Sequence, residues 1–128
     1  MTPYTVKNLK ADVEDSAPKF GMAPPLEAHF AREPLECEKL GLSYLRLDPG
    51  GRVPFTHRHG EQEEVYVVVE GTGTLHLGDD TVELREWDAV RMAPATTRNL
   101  EAGADGIAIL AVGAPNAGAG DAEMMPLG

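Results

Sequence analysis

Short runs in which apolar and polar residues alternate make up most of the chain after residue 25. Residues 42–47 alternate as a half-buried strand does, and residues 26–31 do so more weakly. Residues 64–70 are rich in β-branched side chains, which indicates a strand that is covered on both faces. The same reasoning predicts further short strands at residues 72–77, 81–84, 89–92, 99–102 and 107–112.

Turn-forming residues separate these runs. Residues 48–51 contain a proline and two glycines, which predicts a turn because proline presets φ and glycine accepts a positive φ. Residues 78–80 carry a glycine followed by two aspartates and predict a hairpin. No window holds an apolar stripe at helical spacing that is long enough for a substantial helix. The pattern therefore predicts an all-β domain, either a sandwich or a barrel.

The two ends of the chain lack this pattern. Residues 1–25 contain four prolines, so we expect a segment that wraps the domain, with a helical turn at residues 13–20 that Pro18 keeps short. The β domain itself is expected over residues 26–113. Residues 114–128 are rich in alanine and glycine, and we expect them to be a flexible tail. A chain of 128 residues is the usual size of one domain.

The charge of the chain narrows the classes of partner. Its formal net charge is −10, and no cluster of Lys or Arg stands out. Nucleic acids and anionic membranes are therefore disfavoured as partners, whereas a small-molecule ligand is not. No apolar run approaches the ~18 residues that span a bilayer, the first residues do not resemble a secretory signal, and Cys37 is a single cysteine. We expect a cytoplasmic protein.

The residues that carry chemistry cluster around a pair of histidines. His57 and His59 stand two positions apart, so on a strand they point to the same face and their ring nitrogens converge on one ion. Glu64 opens the next strand after a short connection that brings its carboxylate back beside them. Two histidines and one carboxylate match the facial arrangement that leaves coordination positions open for water or substrate. The alternative interpretation is a solvated His-x-His pair in an acidic loop.

The spacing Gly51-x5-His57-x-His59-x4-Glu64-x6-Gly71 resembles the first motif of the cupin superfamily. The resemblance extends less sharply over residues 40–112. It implies a jelly-roll barrel and a divalent metal ion (iron, manganese, zinc, nickel or copper) held by the two histidines and the glutamate of the motif. It also implies a homodimer, which similar small cupins commonly form.

Two neighbouring carboxylates compete with Glu64 in this motif. Glu61 and Glu63 lie in the same acidic run, but only Glu64 keeps the gap to Gly71. His29 and His76 are more readily interpreted as packing or surface residues than as ligands.

The second motif of the family is altered here. The position of its histidine, normally the fourth ligand, is matched by Arg98, and the glycine at its head is matched by Trp87. A protonated guanidinium has no lone pair for a metal. Arg98 therefore either grips a substrate carboxylate or phosphate beside a three-ligand metal, or pairs with Glu64 in place of the metal, or faces solvent. A shift of one residue places Asn99 at the ligand position instead.

These residues lead to a functional hypothesis. We expect a metal-dependent cupin that acts on a small anionic molecule as an oxygenase, isomerase or lyase, with Arg98 and Tyr66 as catalytic residues. Tyr66 follows Glu64 at i+2 and shares its face, although a packed core tyrosine is the other interpretation. The alternative function is a non-catalytic barrel that binds a small ligand as a sensor or carrier, with or without metal.

Overall fold

The computed structural model describes residues 3–127, and within them eight strands join in one antiparallel sheet that curls on itself as a jelly-roll barrel. The all-β prediction is therefore confirmed. Within the same residues, neither of two three-residue 3-10 helices has the length or apolar character to cross a membrane. The strands are β1 (Leu26–Phe30), β2 (Gly41–Leu47), β3 (Phe55–His59), β4 (Glu63–Leu77), β5 (Asp80–Leu84), β6 (Ala89–Met92), β7 (Arg98–Ala114) and β8 (Ala122–Pro126).

Strands β4 and β7 pair along most of their length and form the backbone of the barrel. The sequence predicts two shorter strands in place of each of them. The pairing register shifts at two points near Gly71. These β-bulges bend the two strands but do not end their pairing, so each strand is continuous. Gly71 has φ +79°, and a Cβ at this position would collide with the carbonyl oxygen of Gly106 on β7. Only glycine permits this close approach of the two backbones.

The hairpin between β4 and β5 agrees with its prediction. Leu77 pairs with Asp80, so the connecting turn consists of Gly78 and Asp79. Gly78 has φ +60°, as the first position of a type I′ or II′ hairpin turn requires.

The inside of the barrel is apolar, with one exception among the most buried side chains. The alternation along each strand directs every second side chain inward, and these side chains make one contiguous core. Among the described residues, the largest side chains with almost no exposure are Arg98, Leu47, Leu75, Met92, Ile109 and Val68.

Residues 13–16 lie against β1. The amide of Ser16 donates to the carbonyl of Ala28, and the His29 ring hydrogen bonds to the carbonyl of Val13 at 2.7 Å. The helical turn that was predicted over residues 13–20 is only the 3-10 helix Pro18–Phe20, since Pro18 occupies its first turn.

The C-terminal segment differs from the flexible tail that its composition suggested. Strand β7 continues to Ala114, and β8 pairs antiparallel with β3, with Ala122 opposite His59 and Met124 opposite His57. Strand β3 pairs with β7 through a single position, so most of its backbone groups need another partner. The tail supplies that partner. Residues 1, 2 and 128 lie outside the described residues.

Candidate metal centre

His57 and His59 project from β3 towards the start of β4. They are two positions apart and face the same side of the sheet, with their ring centroids 5.2 Å apart and their planes nearly perpendicular. Glu64, the second residue of β4, places Oε1 at 3.9 Å from Nε2 of His57 and 3.8 Å from Nε2 of His59. One ligand atom from each residue lies within 4.8 Å of the others. The strands thus bring the three residues of the motif together.

These separations fit a divalent ion. Metal–ligand bonds to histidine nitrogen and carboxylate oxygen are about 2.0–2.2 Å long, so two ligand atoms on one ion are at most ~4.4 Å apart. The distances from Glu64 to the two imidazoles fall inside this limit. Two imidazoles and a carboxylate are also a donor set for zinc, iron and related metals.

Three buried polar atoms near this point have no hydrogen-bond partner among the described residues. They are Nε2 of His59, Oε1 of Glu64 and Nη1 of Arg98. Buried polar atoms are nearly always paired, because leaving one unpaired costs about 1–3 kcal/mol. Oε1 of Glu64 lies within 4 Å of the side chains of both other residues. The group of atoms is therefore arranged for a ligand that the protein itself does not supply.

Arg98 begins β7 opposite His57 and is 1% exposed. Its Nε donates to Sδ of Met92 at 3.4 Å, and Nη2 donates to the carbonyl oxygen of Ala93 at 3.5 Å. Nε is 3.9 Å from Oε1 of Glu64, which is beyond hydrogen-bond distance. The solvent-facing account of Arg98 is therefore wrong, and the guanidinium lies beside the carboxylate without a direct hydrogen bond.

Asn99 occupies the other face of the same strand. Its side-chain amide donates to the carbonyl oxygens of Val53 and Phe55 at 2.8 and 2.9 Å. Both contacts hold the turn before β3 against β7. Arg98, and not Asn99, is the residue that faces the histidines.

Tyr66 lies two positions after Glu64 and is 4% exposed. Burial raises the pKa of its phenol far above the ordinary value, and the neighbouring charge of Glu64 and a hydrogen bond with its side chain add to the effect. The hydroxyl therefore keeps its proton. The ring packs in the core, and a catalytic role for Tyr66 stays a prediction.

Asp121 is the neighbour that sequence reasoning missed. Its Oδ2 accepts a hydrogen bond from Nδ1 of His59 at 3.1 Å, although 62 positions separate the two residues. No motif or alternation marks residues 115–121, so no sequence signal pointed to this contact. Burial raises the pKa of the Asp121 carboxyl, but hydrogen bonds from the amides of Glu61 and Gln62 and from His59 outweigh this effect, and the pKa lies below its usual value.

The pKa of His59 is lowered. Burial is the main cause, and the neighbouring His57 and Arg98 act in the same direction, while Glu64 and Asp121 oppose them. A lowered pKa keeps the imidazole neutral, which is the form that binds a metal.

The other candidate side chains lie outside the cluster. His76 pairs with Glu101 at 2.9 Å, and His29 is buried between Val13 and Glu27. Of the rival carboxylates, Glu61 is exposed and Glu63 pairs with Arg91 at 3.2 Å.

Comparisons with known proteins agree with this architecture. The cupin domain family profile matches residues 43–112, which is more than half of the chain. A stretch of 53 residues is 30% identical to an uncharacterised protein of Methanocaldococcus jannaschii and covers 41% of this chain and 42% of that protein. The chain thus matches less than half the length of this relative.

Two solved structures illustrate the similarity of fold. A cupin protein from Bacteroides fragilis superposes with a TM-score of 0.74 at 25% identity, over 93% of this chain and 89% of that chain. A protein from Thermotoga maritima, described as a predicted oxalate decarboxylase, gives a TM-score of 0.62 at 20% identity, over 70% of this chain and 80% of that chain. The second similarity concerns the fold alone.

Proposed function

Because this chain belongs to the cupin family, we propose that it is a metal-dependent cupin that acts on a small anionic organic molecule. His57, His59 and Glu64 hold the divalent ion, and Arg98 binds the anionic group of the ligand. The cytoplasmic location and the homodimer that were expected from the sequence stay predictions.

One observation carries this proposal. Nε2 of His59, Oε1 of Glu64 and Nη1 of Arg98 are buried around one point and have no hydrogen-bond partner among residues 3–127. A cation satisfies the first two atoms, and an anion satisfies the third. A metal ion together with a ligand carboxylate or phosphate satisfies all three.

Charge favours an anionic ligand. The formal charges of Glu64 and Arg98 cancel, so a divalent ion leaves the cluster with an excess of positive charge in a partly buried place. A carboxylate or phosphate neutralises this excess, and a guanidinium binds such groups through two parallel N–H donors. The Thermotoga maritima protein is described as a predicted oxalate decarboxylase, and oxalate is a small carboxylate.

Each residue of the proposed site has a separate role. The ion, when bound, supplies a Lewis acid or an oxygen-activating centre. Arg98 orients the ligand, the buried phenol of Tyr66 keeps its proton beside Glu64, and the apolar barrel excludes bulk water. Because Tyr66 keeps its proton and Arg98 stays protonated, neither residue provides a general base. This favours a non-catalytic ligand-binding cupin as the second candidate.

Elemental analysis of protein purified without chelator tests the metal site. We expect about one divalent ion per chain, and we expect the double variant His57→Ala, His59→Ala to lose it. His76→Ala is the matched control, since it removes a histidine that pairs with Glu101 away from the cluster. A double variant that retains its metal would contradict the proposal.

The ligand is tested next with the metal-loaded protein. Small carboxylates and phosphates are screened by thermal shift, and hits are incubated and analysed by mass spectrometry. We expect Arg98→Gln to abolish the shift and Arg91→Gln, an exposed arginine, to retain it. Product formation identifies an enzyme, and intact ligand after long incubation identifies a binder.

A further inference from the structure

Asp121 ties the C-terminal segment to the connection between the candidate metal ligands. It lies in the short turn before β8, and its side chain is only 8% exposed. Besides the contact with His59, Oδ1 accepts from the amide of Glu61 at 2.8 Å and Oδ2 accepts from the amide of Gln62 at 3.1 Å. The backbone carbonyl of Asp121 accepts from the amide of Gly60 at 3.0 Å. One residue therefore holds three successive amides and one imidazole.

The contact with His59 decides which ring nitrogen carries the proton. A carboxylate oxygen only accepts, so Nδ1 of His59 must be the donor in the 3.1 Å hydrogen bond. In the neutral ring, Nε2 then has a free lone pair. Nε2 is the buried atom without a partner that faces Glu64 at 3.8 Å. Asp121 thus selects the tautomer in which the lone pair points at the candidate metal position.

The contacts with the amides fix the distance between two ligands. Residues 60–62 join His59 at the end of β3 to β4, where Glu64 is the second residue. The fit is close, because a Cβ added at Gly60 would lie 2.9 Å from Oδ1 of Asp121. The side chain of Gln62 also contacts the carbonyl of Pro115 at 3.5 Å, but among the described residues only Asp121 connects these amides to the imidazole of His59.

Strand β8 keeps Asp121 in this place. Ala122, the next residue, pairs with His59, and Glu123 forms an ion pair with Arg58 at 3.0 Å. The strand that presents the two histidines is therefore bordered by the strand that follows Asp121.

We propose that Asp121 is a positioning residue for the metal centre. Asp121 holds His59 as the Nδ1–H tautomer and fixes the connection formed by residues 60–62. Metal affinity therefore depends on the C-terminal segment. This inference rests on the proposed metal site.

Two variants of the 128-residue chain test it. Asp121→Asn keeps the size and one acceptor, whereas Asp121→Ala removes the carboxylate. Glu123→Gln is the matched control, because it neutralises an exposed acid of β8 that contacts Arg58 and not His59. Circular dichroism shows whether each variant folds. If Asp121→Ala does not fold, the measurements on Asp121→Asn decide the outcome.

The first measurement needs no metal. Long-range proton–nitrogen NMR of the metal-free protein reports the tautomer of His59, and a purely structural role would leave the tautomer of a folded variant unchanged. We expect Nδ1–H in the wild type and in Glu123→Gln, and a shift towards Nε2–H in both Asp121 variants.

The second measurement is metal affinity, by competition of zinc with a chelator. We expect about 10–100-fold weaker binding in the Asp121 variants and little change in Glu123→Gln. Folded Asp121 variants with wild-type affinity and an unchanged tautomer would overturn the inference. If no protein binds zinc but the tautomer still shifts, the metal site is wrong and the positioning of His59 stands.

Discussion

At the scale of single residues, the most consequential departure from the usual cupin motif is Arg98, a buried arginine at the position of the usual histidine. A buried charge costs several kcal/mol unless it is paired. The neighbours of this guanidinium are a thioether, one carbonyl and a carboxylate at 3.9 Å, and Nη1 has no hydrogen-bond partner in the described part of the chain. The position is therefore costly in the protein alone, and the anionic ligand proposed above would offset that cost.

Replacing this residue gives a prediction with two opposite effects. Arg98→His adds an imidazole at the position of the usual fourth ligand and removes a positive charge, so we expect at least about 10-fold tighter metal binding. The same change should weaken binding of carboxylates or phosphates, because imidazole lacks the paired donors of a guanidinium. Competition titration with a chelator measures the first effect, and thermal shift with the anion measures the second.

Asn99→His is the control for this prediction. Asn99 donates to the carbonyls of Val53 and Phe55 and faces away from the histidines, so its replacement should lower stability and add no ligand. Tighter metal binding in Asn99→His, with none in Arg98→His, would show that the residues were assigned to the wrong faces of β7.

The candidate site shows what local spacing reveals and what it does not. His57, His59 and Glu64 stand on consecutive strands, so alternation and a short connection sufficed to bring them together. Asp121 reaches the same place because β8 pairs with β3. That pairing satisfies backbone N–H and C=O groups of β3, which is distant in the sequence. Long-range pairing of this kind leaves no periodic signal in a segment of alanine and glycine.

At the scale of elements, the turn between β5 and β6 holds a strained residue. Trp87 has φ +72°, a conformation that costs a side chain about 1–2 kcal/mol, and the related motif has glycine there. Its amide donates to the carbonyl of Val68 at 2.8 Å, which fixes the backbone in this conformation. Trp87 is 73% exposed, and its side chain therefore contributes little burial in return.

We expect Trp87→Gly to stabilise the protein by about 0.5–1 kcal/mol, since the relief of strain exceeds the entropy that glycine adds to the unfolded chain. Urea unfolding followed by circular dichroism measures the change. Trp87→Ala is the control, because it removes the ring and keeps the Cβ that causes the strain. If alanine stabilises as much as glycine, the ring and not the backbone is the source of the cost.

The elements themselves were predicted unevenly. Strand β6 and the hairpin after β4 follow from alternation and from the glycine of the turn. The joining of predicted strands into β4 and β7 could not be predicted in this way. Gly71 and Gly106 suggest turns in the sequence, but in the structure they are bends within paired strands. Only the partner strand distinguishes the two uses of glycine.

At the scale of the whole molecule, His29 links the N-terminal segment to the barrel. Nδ1 contacts the carbonyl of Val13 and Nε2 contacts the carboxylate of Glu27, both at 2.7 Å, so the protonated ring satisfies both acceptors. Burial lowers the pKa of His29, but these two contacts outweigh it and raise the pKa above its ordinary value of 6.5. Protonation and folding are therefore coupled at this residue.

The sign of the coupling predicts how stability depends on pH. The stabilisation by His29 is present below pH 6.5 and is lost as the pH rises through the raised pKa of the folded state. We expect His29→Gln to lower the free energy of unfolding by about 1 kcal/mol below pH 6.5 and by less at alkaline pH. Chemical denaturation at several pH values tests this, with His76→Gln as control for a more exposed His–Glu pair. An equal loss at every pH would contradict the assignment.

The pairing of β3 with β7 and β8 also sets an order in time. During synthesis His57, His59 and Glu64 leave the ribosome before Arg98, and Asp121 follows His59 by 62 positions. At roughly 5–20 residues per second, this delay is about 3–12 s. Arg98 is synthesised partway through that interval, whereas Asp121 is missing until its end. A nascent chain therefore presents the two imidazoles and the carboxylate of the candidate site before the residue that orients His59 has been synthesised.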